Sequence, residues 1–225
     1  TWEVISATET AAVNLDTDNL ALIGKDSGAT VIDLAGAKTL SGLYGIYATG
    51  RTGMLIKNLG VTGSYEGIYF NNVDLSTVMG DSASSCGNNG IYLYNGSDTN
   101  TVSNNTASSN TRGIYLQTSS NNNTLSGNIA NSHSQYGIQL STNCMSNTIN
   151  GNTTNSNSTG GIGLASGSNY NTVSNNTANS SGSGISLNTS SINNTVSNNT
   201  TNANANAGLY VGADNNTQNG NASDT

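Results

Sequence analysis

A short apolar phrase recurs along most of the chain at a nearly constant interval. It reads Gly-Ile-Tyr-Leu in two copies, with close variants elsewhere, and successive copies begin 22 to 24 residues apart. The copies begin at Gly45, Gly67, Gly90, Gly113, Gly137, Gly161, Gly184 and Gly208. Because apolar positions alternate within the phrase and β-branched and aromatic residues are common there, it predicts a short strand with one buried face.

A second marker keeps phase with the first. An Asn-Thr pair recurs at steps of 22 to 24 residues, in most copies followed by an apolar residue, and predicts another strand with a single inward side chain. The inward residues are Val102, Leu125, Ile149, Val173 and Val196. Clusters of Asn, Ser and Gly between the strands are typical of turns. A unit this short cannot bury its own core, so we expect the units to stack.

Stacked units of this kind predict an all-β fold, a right-handed parallel β-helix with strands about 4.8 Å apart. We expect about 23 residues per rung and eight or nine rungs in a single domain over 1–225, with 1–40 as an N-terminal rung and partial cap and 41–225 as regular repeats. One predicted core column holds Ile46, Ile68, Ile91, Ile114, Ile138, Ile162, Ile185 and Leu209. A second holds Phe70, Leu93, Leu116, Leu140, Leu164, Leu187 and Val211.

Asparagine recurs at one corner of the predicted rungs. Because asparagine tolerates left-handed backbone geometry and can stack its amide on the next copy, we predict a ladder in which each member turns the same corner. The predicted ladder consists of Asn105, Asn128, Asn152, Asn176 and Asn199.

The composition narrows the classes of function. The chain has 225 residues, only five of them Lys or Arg, and a formal net charge of -7. A surface that follows phosphates needs clustered basic residues, so nucleic acid is not expected as a partner. No apolar run approaches the roughly 20 residues of a membrane span, and no signal peptide opens the sequence. We therefore expect no membrane span and a mature or trimmed N-terminus.

Three stretches carry a resemblance to a known family: LALIGKDSGATVIDLAG, GIYATGRTGMLIKNLGVTGSYEGIYF and the repeated NNTVSNNT phrase. From Leu20 to the C-terminus the chain resembles the NosD-like right-handed parallel β-helices. The resemblance implies a secreted or surface protein of archaeal origin. That family includes carbohydrate-binding and sugar-hydrolysing modules, a periplasmic copper-site maturation protein and many surface proteins, so the resemblance does not select one function.

Tyrosine follows the inward isoleucine at the same offset on four consecutive rungs, which points these side chains away from the core. The four residues are Tyr47, Tyr69, Tyr92 and Tyr115. Such an aromatic strip suits a sugar chain or a neighbouring rod. A cross-strand ladder that only stabilises the sheet is the alternative, and both interpretations stay open at this point.

Acidic residues are absent between positions 99 and 213, which argues against an extended catalytic acid cluster. Arg51, Asp74 and Asp98 fall at neighbouring offsets on successive rungs and predict either an acid pair with a cation or a calcium site. Solvated loop charge is the interpretation that we favour. Because His133 has no second histidine, we expect no transition-metal site, and the copper function of the namesake does not carry over. No cofactor is expected.

The cysteines and the sequons bear on partners. Cys86 and Cys144 lie in different columns more than two rungs apart, so an internal disulfide is not expected. They are either buried free thiols or, outside the cell, a disulfide link between chains. Asn-x-Ser/Thr sequons fit a secreted, glycosylated surface, although packing in the asparagine ladder closes some of them. Examples are Asn95, Asn104, Asn157, Asn179 and Asn188.

These observations favour a non-catalytic extracellular structural protein that associates with itself, side to side or end to end, in a cell-envelope sheath or surface layer. The alternative is a carbohydrate-binding or carbohydrate-cleaving β-helix that acts on an envelope or extracellular polysaccharide. In that case the tyrosine strip would be the sugar platform, with Asp74 or Asp98 as the acid and Arg51 beside them.

Overall fold

A computed structural model describes residues 2–4, 8–9, 12–28, 30–34, 37–188 and 190–223. The chain winds into a parallel β-solenoid in which successive coils add strands to three sheets, A, B and C, in that order. Ile91 pairs with Ile68 on one side and with Ile114 on the other, which gives 23 residues per coil at this point. The predicted all-β β-helix is confirmed.

Within the described ranges, to which the numbers of strands refer, the three sheets contain nearly all of the regular structure. Sheet A has ten strands: Trp2–Val4, Ala21–Gly24, Leu55–Lys57, Thr77–Met79, Thr101–Ser103, Thr124–Ser126, Thr148–Asn150, Thr172–Ser174, Thr195–Ser197 and Thr217–Asn219. Sheet B has six strands: Thr8–Glu9, Val31–Asp33, Gly60–Thr62, Ser82–Ser84, Thr106–Ser108 and Ile129–Asn131. Bridges at Thr153 and Thr177 extend it to the pair Thr200–Thr201 and Ala222–Ser223. Sheet C has nine strands: Val13–Leu15, Tyr44–Thr49, Glu66–Asn71, Asn89–Tyr94, Arg112–Gln117, Tyr136–Ser141, Gly160–Leu164, Ser183–Leu187 and Ala207–Val211.

The core consists of continuous files of like side chains that run along the axis. The predicted isoleucine and leucine files are in register on sheet C, where Ile114 and Leu116 are fully buried. Sheet A contributes a third file that includes Val102 and Leu125. Sheet B adds small residues such as Ala107, which lets the three sheets approach one another. The apolar area removed from water by these files is the main stabilising contribution to the fold.

Asparagine ladders occupy the corners, and the turn geometry differs from the prediction. Asn105 is buried, and its Nδ2 donates to Val78 O at 2.9 Å and to Asn128 Oδ1 at 3.1 Å. The left-handed residue is the one before it, Asn104, with φ of 55°. A second ladder precedes sheet A and is formed by the asparagines of the recurring Asn-Thr pair, which was predicted only as part of a strand. It consists of Asn100, Asn123, Asn147, Asn171, Asn194 and Asn216.

Part of the predicted N-terminal cap is not described. Residues 1, 5–7, 10–11, 29 and 35–36, within the predicted 1–40 segment, lie outside the described residues. The segment does contain the turn Ala37–Thr39, a 3-10 helix. In the described ranges, no helix has the length and apolar character that a membrane crossing requires.

Candidate functional site

The predicted tyrosines lie side by side on the outer side of sheet C. Tyr69 pairs with Tyr47 and with Tyr92, and Tyr92 pairs with Tyr115, so the four occupy adjacent strands in register. Their neighbours along each strand, such as Ile68 and Phe70, point into the core. Beyond Tyr115 the same file continues through Gln139, Gly163 and Ser186 before it reaches Tyr210.

Two further tyrosines complete this surface, which we call the tyrosine face. The Tyr44 ring stacks on Tyr69 with centroids 4.5 Å apart and an interplanar angle of 13°. The ring centroids of Tyr94 and Tyr92 are 5.5 Å apart. The Tyr92 ring stacks on the Tyr115 ring with centroids 5.2 Å apart and an interplanar angle of 10°. Tyr69 and Tyr115 are only 8% exposed because neighbouring side chains cover them. The partly exposed rings of Tyr44, Tyr47, Tyr92 and Tyr94 are therefore the ones that a ligand would meet.

Burial favours the protonated phenol form of Tyr69 and Tyr92. Burial raises the pKa of Tyr69 to about 12, and burial also raises the pKa of Tyr92. The Tyr92 hydroxyl donates to Gln117 Oε1 at 2.5 Å. Tyr69 and Tyr92 therefore offer neutral hydroxyl groups, and Gln117 adds an amide beside them.

Glu66 is a buried carboxylate at the start of the strand that carries Tyr69. Its Oε1 accepts from Asn88 Nδ2 at 2.7 Å and its Oε2 accepts from the Asn89 N–H at 2.9 Å. Burial raises its pKa, although these two hydrogen bonds act in the opposite direction. With both oxygens bonded and 4% exposure, Glu66 fixes the turn beside the tyrosine face.

Arg112 places a positive charge on the face. Its guanidinium carbon lies 4.7 Å from the centre of the Tyr115 ring, in cation–π geometry. Its Nε donates to Gln139 Oε1 at 2.6 Å. The remaining guanidinium nitrogens make Arg112 a candidate donor to a carboxylate or hydroxyl of a ligand.

Asp74 and Asp98, the predicted acid pair, meet in the corner between sheets C and A. The Asp98 N–H donates to Asp74 Oδ1 at 2.8 Å, and the Asn121 N–H donates to Asp98 Oδ1 at 2.6 Å. Arg51 belongs to the same corner, because its carbonyl accepts from the Asp74 N–H at 3.0 Å. Its Nε is buried and has no hydrogen-bond partner within the described segments. Burial raises the pKa of Asp98, and the nearby Asp74 charge adds to that shift.

The corner is continuous with the tyrosine face. Tyr94, which contacts Tyr92, ends its strand four residues before Asp98. Within that turn the Ser97 hydroxyl donates to the Tyr94 carbonyl at 2.8 Å. The acid pair and the aromatic surface are therefore adjacent parts of one side of the solenoid.

The remaining predicted candidates have structural surroundings. His133 replaces an asparagine in the ladder between sheets B and C, where its Nδ1 accepts from the Asn110 N–H at 3.1 Å. Cys86 and Cys144 are buried free thiols. A disulfide between chains needs an accessible sulfur, so the predicted intermolecular link has no accessible thiol in this structure. Over the ranges that the structure describes, no group of three His, Cys, Asp or Glu residues could hold a metal ion.

Sequence comparison identifies the family. The family profile described as "Right handed beta helix region" matches residues 21–178. The chain belongs to the right-handed β-helix family. This assignment confirms the predicted hand of the coil, while the narrower likeness to NosD-like proteins stays a prediction. No curated protein sequence matches this β-helix chain.

Solved structures with similar folds include three polysaccharide enzymes. The periplasmic alginate epimerase AlgG matches with a TM-score of 0.69 and 17% identity, covering 81% of this chain and 48% of AlgG. The AlgE6 A-module, a mannuronan C-5 epimerase of Azotobacter vinelandii, matches with a TM-score of 0.72 and 16% identity, and the match covers 100% of this chain and 88% of that module. Pectate lyase Pel9A matches with a TM-score of 0.66 and 16% identity, and the match covers 99% of this chain and 66% of Pel9A. This β-helix thus spans about half the length of AlgG, and at such identities the likeness establishes the fold.

These comparisons correct the favoured functional prediction. A non-catalytic sheath or surface-layer protein was expected because acidic residues are sparse, yet the similar folds are those of alginate epimerases and a pectate lyase. The predictions of a structural role and of no enzymatic activity are therefore wrong. Acidic residues are absent between positions 99 and 213, and Asp74 and Asp98 were interpreted as solvated loop charge, whereas these two carboxyl groups and that of Glu66 lie near the tyrosine face.

Proposed function

We propose that this β-helix protein acts outside the cytoplasm on an extended polysaccharide, which lies along the tyrosine face. The observation that carries the proposal is the network of contacting tyrosine rings on one side of sheet C. Aromatic rings present flat apolar surface to the C–H faces of sugars, and phenol hydroxyls add hydrogen bonds. The similar folds of alginate epimerases and a pectate lyase support a polysaccharide as the substrate class.

The dimensions of the face suit a linear chain. Four adjacent strands carry Tyr47 to Tyr115, and strands spaced about 4.8 Å apart span roughly 15 Å along the axis. A chain that runs along the axis would cross successive rings, while Gln117 and Arg112 offer polar contacts at the end of the file. The sugar would lie perpendicular to the strands.

The chemistry is assigned to the corner next to this face. Asp74 and Asp98 occupy adjacent coils, so their backbones lie about one strand spacing apart. Paired carboxyl groups carry out acid–base chemistry on glycosides, and a raised pKa favours the protonated form. Asp98, with its raised pKa, is the candidate proton donor, and Asp74 is the second carboxyl group.

Affinity electrophoresis through gels that contain alginate, polygalacturonate or a neutral β-glucan tests the platform. We expect retardation by at least one polymer, a severalfold loss of affinity in Tyr92→Ala, and a smaller loss in Tyr92→Phe, which keeps the ring. Tyr170→Ala is the matched control, because Tyr170 is 60% exposed and lies outside the tyrosine face. Equal losses in the two alanine variants, or no retardation by any polymer, would exclude this surface as the platform.

Product assays on the retarding polymer test the chemistry. New reducing ends, unsaturated uronate absorbance and sugar configuration by NMR distinguish hydrolysis, elimination and epimerisation. We expect Asp98→Asn and Asp74→Asn to abolish turnover while binding persists. Full turnover in both variants would remove the acid pair from the mechanism.

A further inference from the structure

Six copies of the tripeptide Asn-Asn-Thr occur in the chain, and all of them lie at corners that border sheet A. In every copy the first asparagine has a positive φ, between 55° and 58°. The first residues are Asn104, Asn122, Asn175, Asn193, Asn198 and Asn215. Three precede strands of sheet A and three follow them, so they form two lines along the solenoid.

The two asparagines of each copy have different surroundings. The second enters a ladder, as Asn123 does, with its Nδ2 donating to Ser97 O at 2.9 Å and its Oδ1 accepting from the Asn100 N–H at 2.8 Å. The first faces outward: it is exposed in five copies and partly exposed at Asn193. Asn175 Nδ2 donates to Asn150 Oδ1 at 2.7 Å. Asn104 and Asn122 are exposed. Within the described chain, neither side-chain amide forms a hydrogen bond, so both nitrogens are accessible.

The threonine opens a strand in five of the six copies and forms an isolated bridge at Thr177 in the other, and each threonine is exposed or partly exposed. Thr106 begins a strand of sheet B, and Thr124 begins a strand of sheet A. Both side chains are exposed, on the opposite side from the inward residues Ala107 and Leu125. The accessible amide and the accessible hydroxyl therefore occur together, two residues apart.

Asn-x-Thr with x other than proline is the acceptor sequence for N-linked glycans. We propose that these outward asparagines are N-glycosylation sites, arranged as two lines of glycans that flank sheet A. The donor would be an oligosaccharide linked through phosphate to a lipid. In the transfer, Nδ2 attacks the anomeric carbon, a C–N bond forms, and the C–O bond to phosphate breaks. The phosphate keeps the electron pair, and the amide loses one proton to a base of the transferase.

The ladder asparagines provide an internal contrast, because several of them also begin sequons. Asn152, Asn157 and Asn199 are each followed by a serine or threonine at the second position, but each is only 1% exposed. Asn152 Nδ2, for example, donates to Leu125 O at 3.0 Å. A glycan on such a residue would break the hydrogen bonds of the ladder. Burial therefore distinguishes sequons that can be modified from sequons that cannot, although both match the acceptor sequence.

The glycosylation proposal does not rest on the proposed polysaccharide function. Sheet A presents threonine, serine and asparagine on its outer side over residues 101–103, 124–126 and 148–150. Asn104 lies in the corner between sheets A and B, away from the tyrosine face of sheet C. Asn122 lies in the corner between sheets C and A, next to Asn121, whose N–H donates to Asp98 Oδ1.

Peptide mass spectrometry of the protein secreted by cells of its own organism tests the proposal. We expect glycopeptides at outward asparagines, with Asn104 and Asn122 occupied and Asn152, Asn157 and Asn199 unmodified. Unmodified peptides at all six outward sites, or glycans on the ladder residues, would overturn it.

Two variants made in the same cells test whether a glycan on Asn104 depends on the threonine of its acceptor sequence. Thr106→Val keeps the β-branched shape at an exposed strand position and should abolish occupancy at Asn104, whereas Thr106→Ser should retain it. The Asn122 peptide of the same sample is the control for the transferase. Occupancy of Asn104 that survives Thr106→Val would contradict the assignment, and circular dichroism of the variant shows whether the β fold is kept.

Discussion

The main-chain N–H of Asp81 donates to Asn105 Oδ1 at 2.9 Å, so a carboxyl group stands in line with the asparagine ladder between sheets A and B. Asp81 Oδ1 accepts from the Leu59 N–H at 2.8 Å, as the ladder amides do on later coils. Its Oδ2 is buried and has no hydrogen-bond partner among the residues described. Burial raises the pKa of Asp81 to about 7. A protonated carboxyl can donate as the asparagine amide does, whereas the carboxylate cannot.

Asp81→Asn is expected to stabilise the protein at neutral and higher pH. Because the folded pKa of about 7 exceeds the ordinary value of 3.8, the folded state binds more protons between these values. The stability that protonated Asp81 contributes is present at acidic pH and is lost as the pH rises through about 7. The variant should gain about 1 to 3 kcal/mol above that pH and little below about pH 4. Urea unfolding between about pH 4 and pH 8 measures this difference in the free energy of unfolding. Asp214→Asn, at an exposed site, is the control, and an equal gain in stability there would contradict the explanation.

His133 is expected to give the opposite dependence on the acid side. Burial lowers its pKa from 6.5 to about 4, so the unfolded chain binds more protons between those values. Its contribution to stability is full above about pH 6.5 and is lost as the pH falls towards about 4. His133→Asn should remove this acid-side loss and keep the ladder, as seen in the pH dependence of the thermal midpoint.

The alanine variant at the same position tests the hydrogen bonds rather than the charge. In the unmodified protein, His133 Nδ1 accepts from the Asn110 N–H and His133 Nε2 lies 3.1 Å from the Ala107 carbonyl oxygen. His133→Ala leaves both of these main-chain groups without partners. Each unpaired buried group costs about 1 to 3 kcal/mol, so the variant should be clearly less stable at neutral pH. A His133→Ala protein as stable as His133→Asn would show that the imidazole does not act as an amide substitute.

The two thiols are expected to be unreactive in the folded protein. Burial raises the pKa of Cys86 to about 11 and that of Cys144 to about 12, and the thiolate is the reactive form. Iodoacetamide should label neither cysteine until denaturant is added. Electrophoresis should show one species with and without reductant, and a reducible dimer of native protein would contradict this prediction.

Gly87 is expected to hold the turn over residues 37–39 in place. A methyl group at this position would overlap the Lys38 carbonyl oxygen, which is main chain and cannot move alone. Gly87→Ala should therefore displace the turn and accelerate tryptic cleavage after the exposed Lys38. Gly28→Ala is the control, because the nearest atom to its added methyl, Asp26 Oδ1, is at 3.5 Å. Equal cleavage rates in both variants would exclude the steric explanation.

The core was predictable because period and alternation act together. A step of about 23 residues aligns Ile91 with Ile114, and a period of two separates them from Tyr92 and Tyr115. The corner was harder, because in an Asn-Asn pair either residue tolerates left-handed geometry. Which of them turns inward depends on hydrogen bonds to the neighbouring coil, which a single repeat does not display.

The site was only partly predictable for a related reason. Strict alternation from Ile46 predicts Tyr44 on the inner side, but its ring stacks on Tyr69 on the outer side. Gly45 lies between Tyr44 and Ile46 and is absent from the paired register, so the alternation is interrupted there. Glu66 occupies the equivalent place one coil later. The recurring glycine was the available signal that the residue before it changes sides.

Each coil is hydrogen-bonded in the same register to the coil before it and to the coil after it. One coil is therefore the unit by which the fold can lengthen. Duplicating about two dozen residues inserts another complete coil whose edges match those already present. The near-identical phrases at residues 99–108, 170–179 and 193–202 are what such copying leaves in a gene. A binding surface on this scaffold can therefore lengthen one coil at a time without rebuilding its interior.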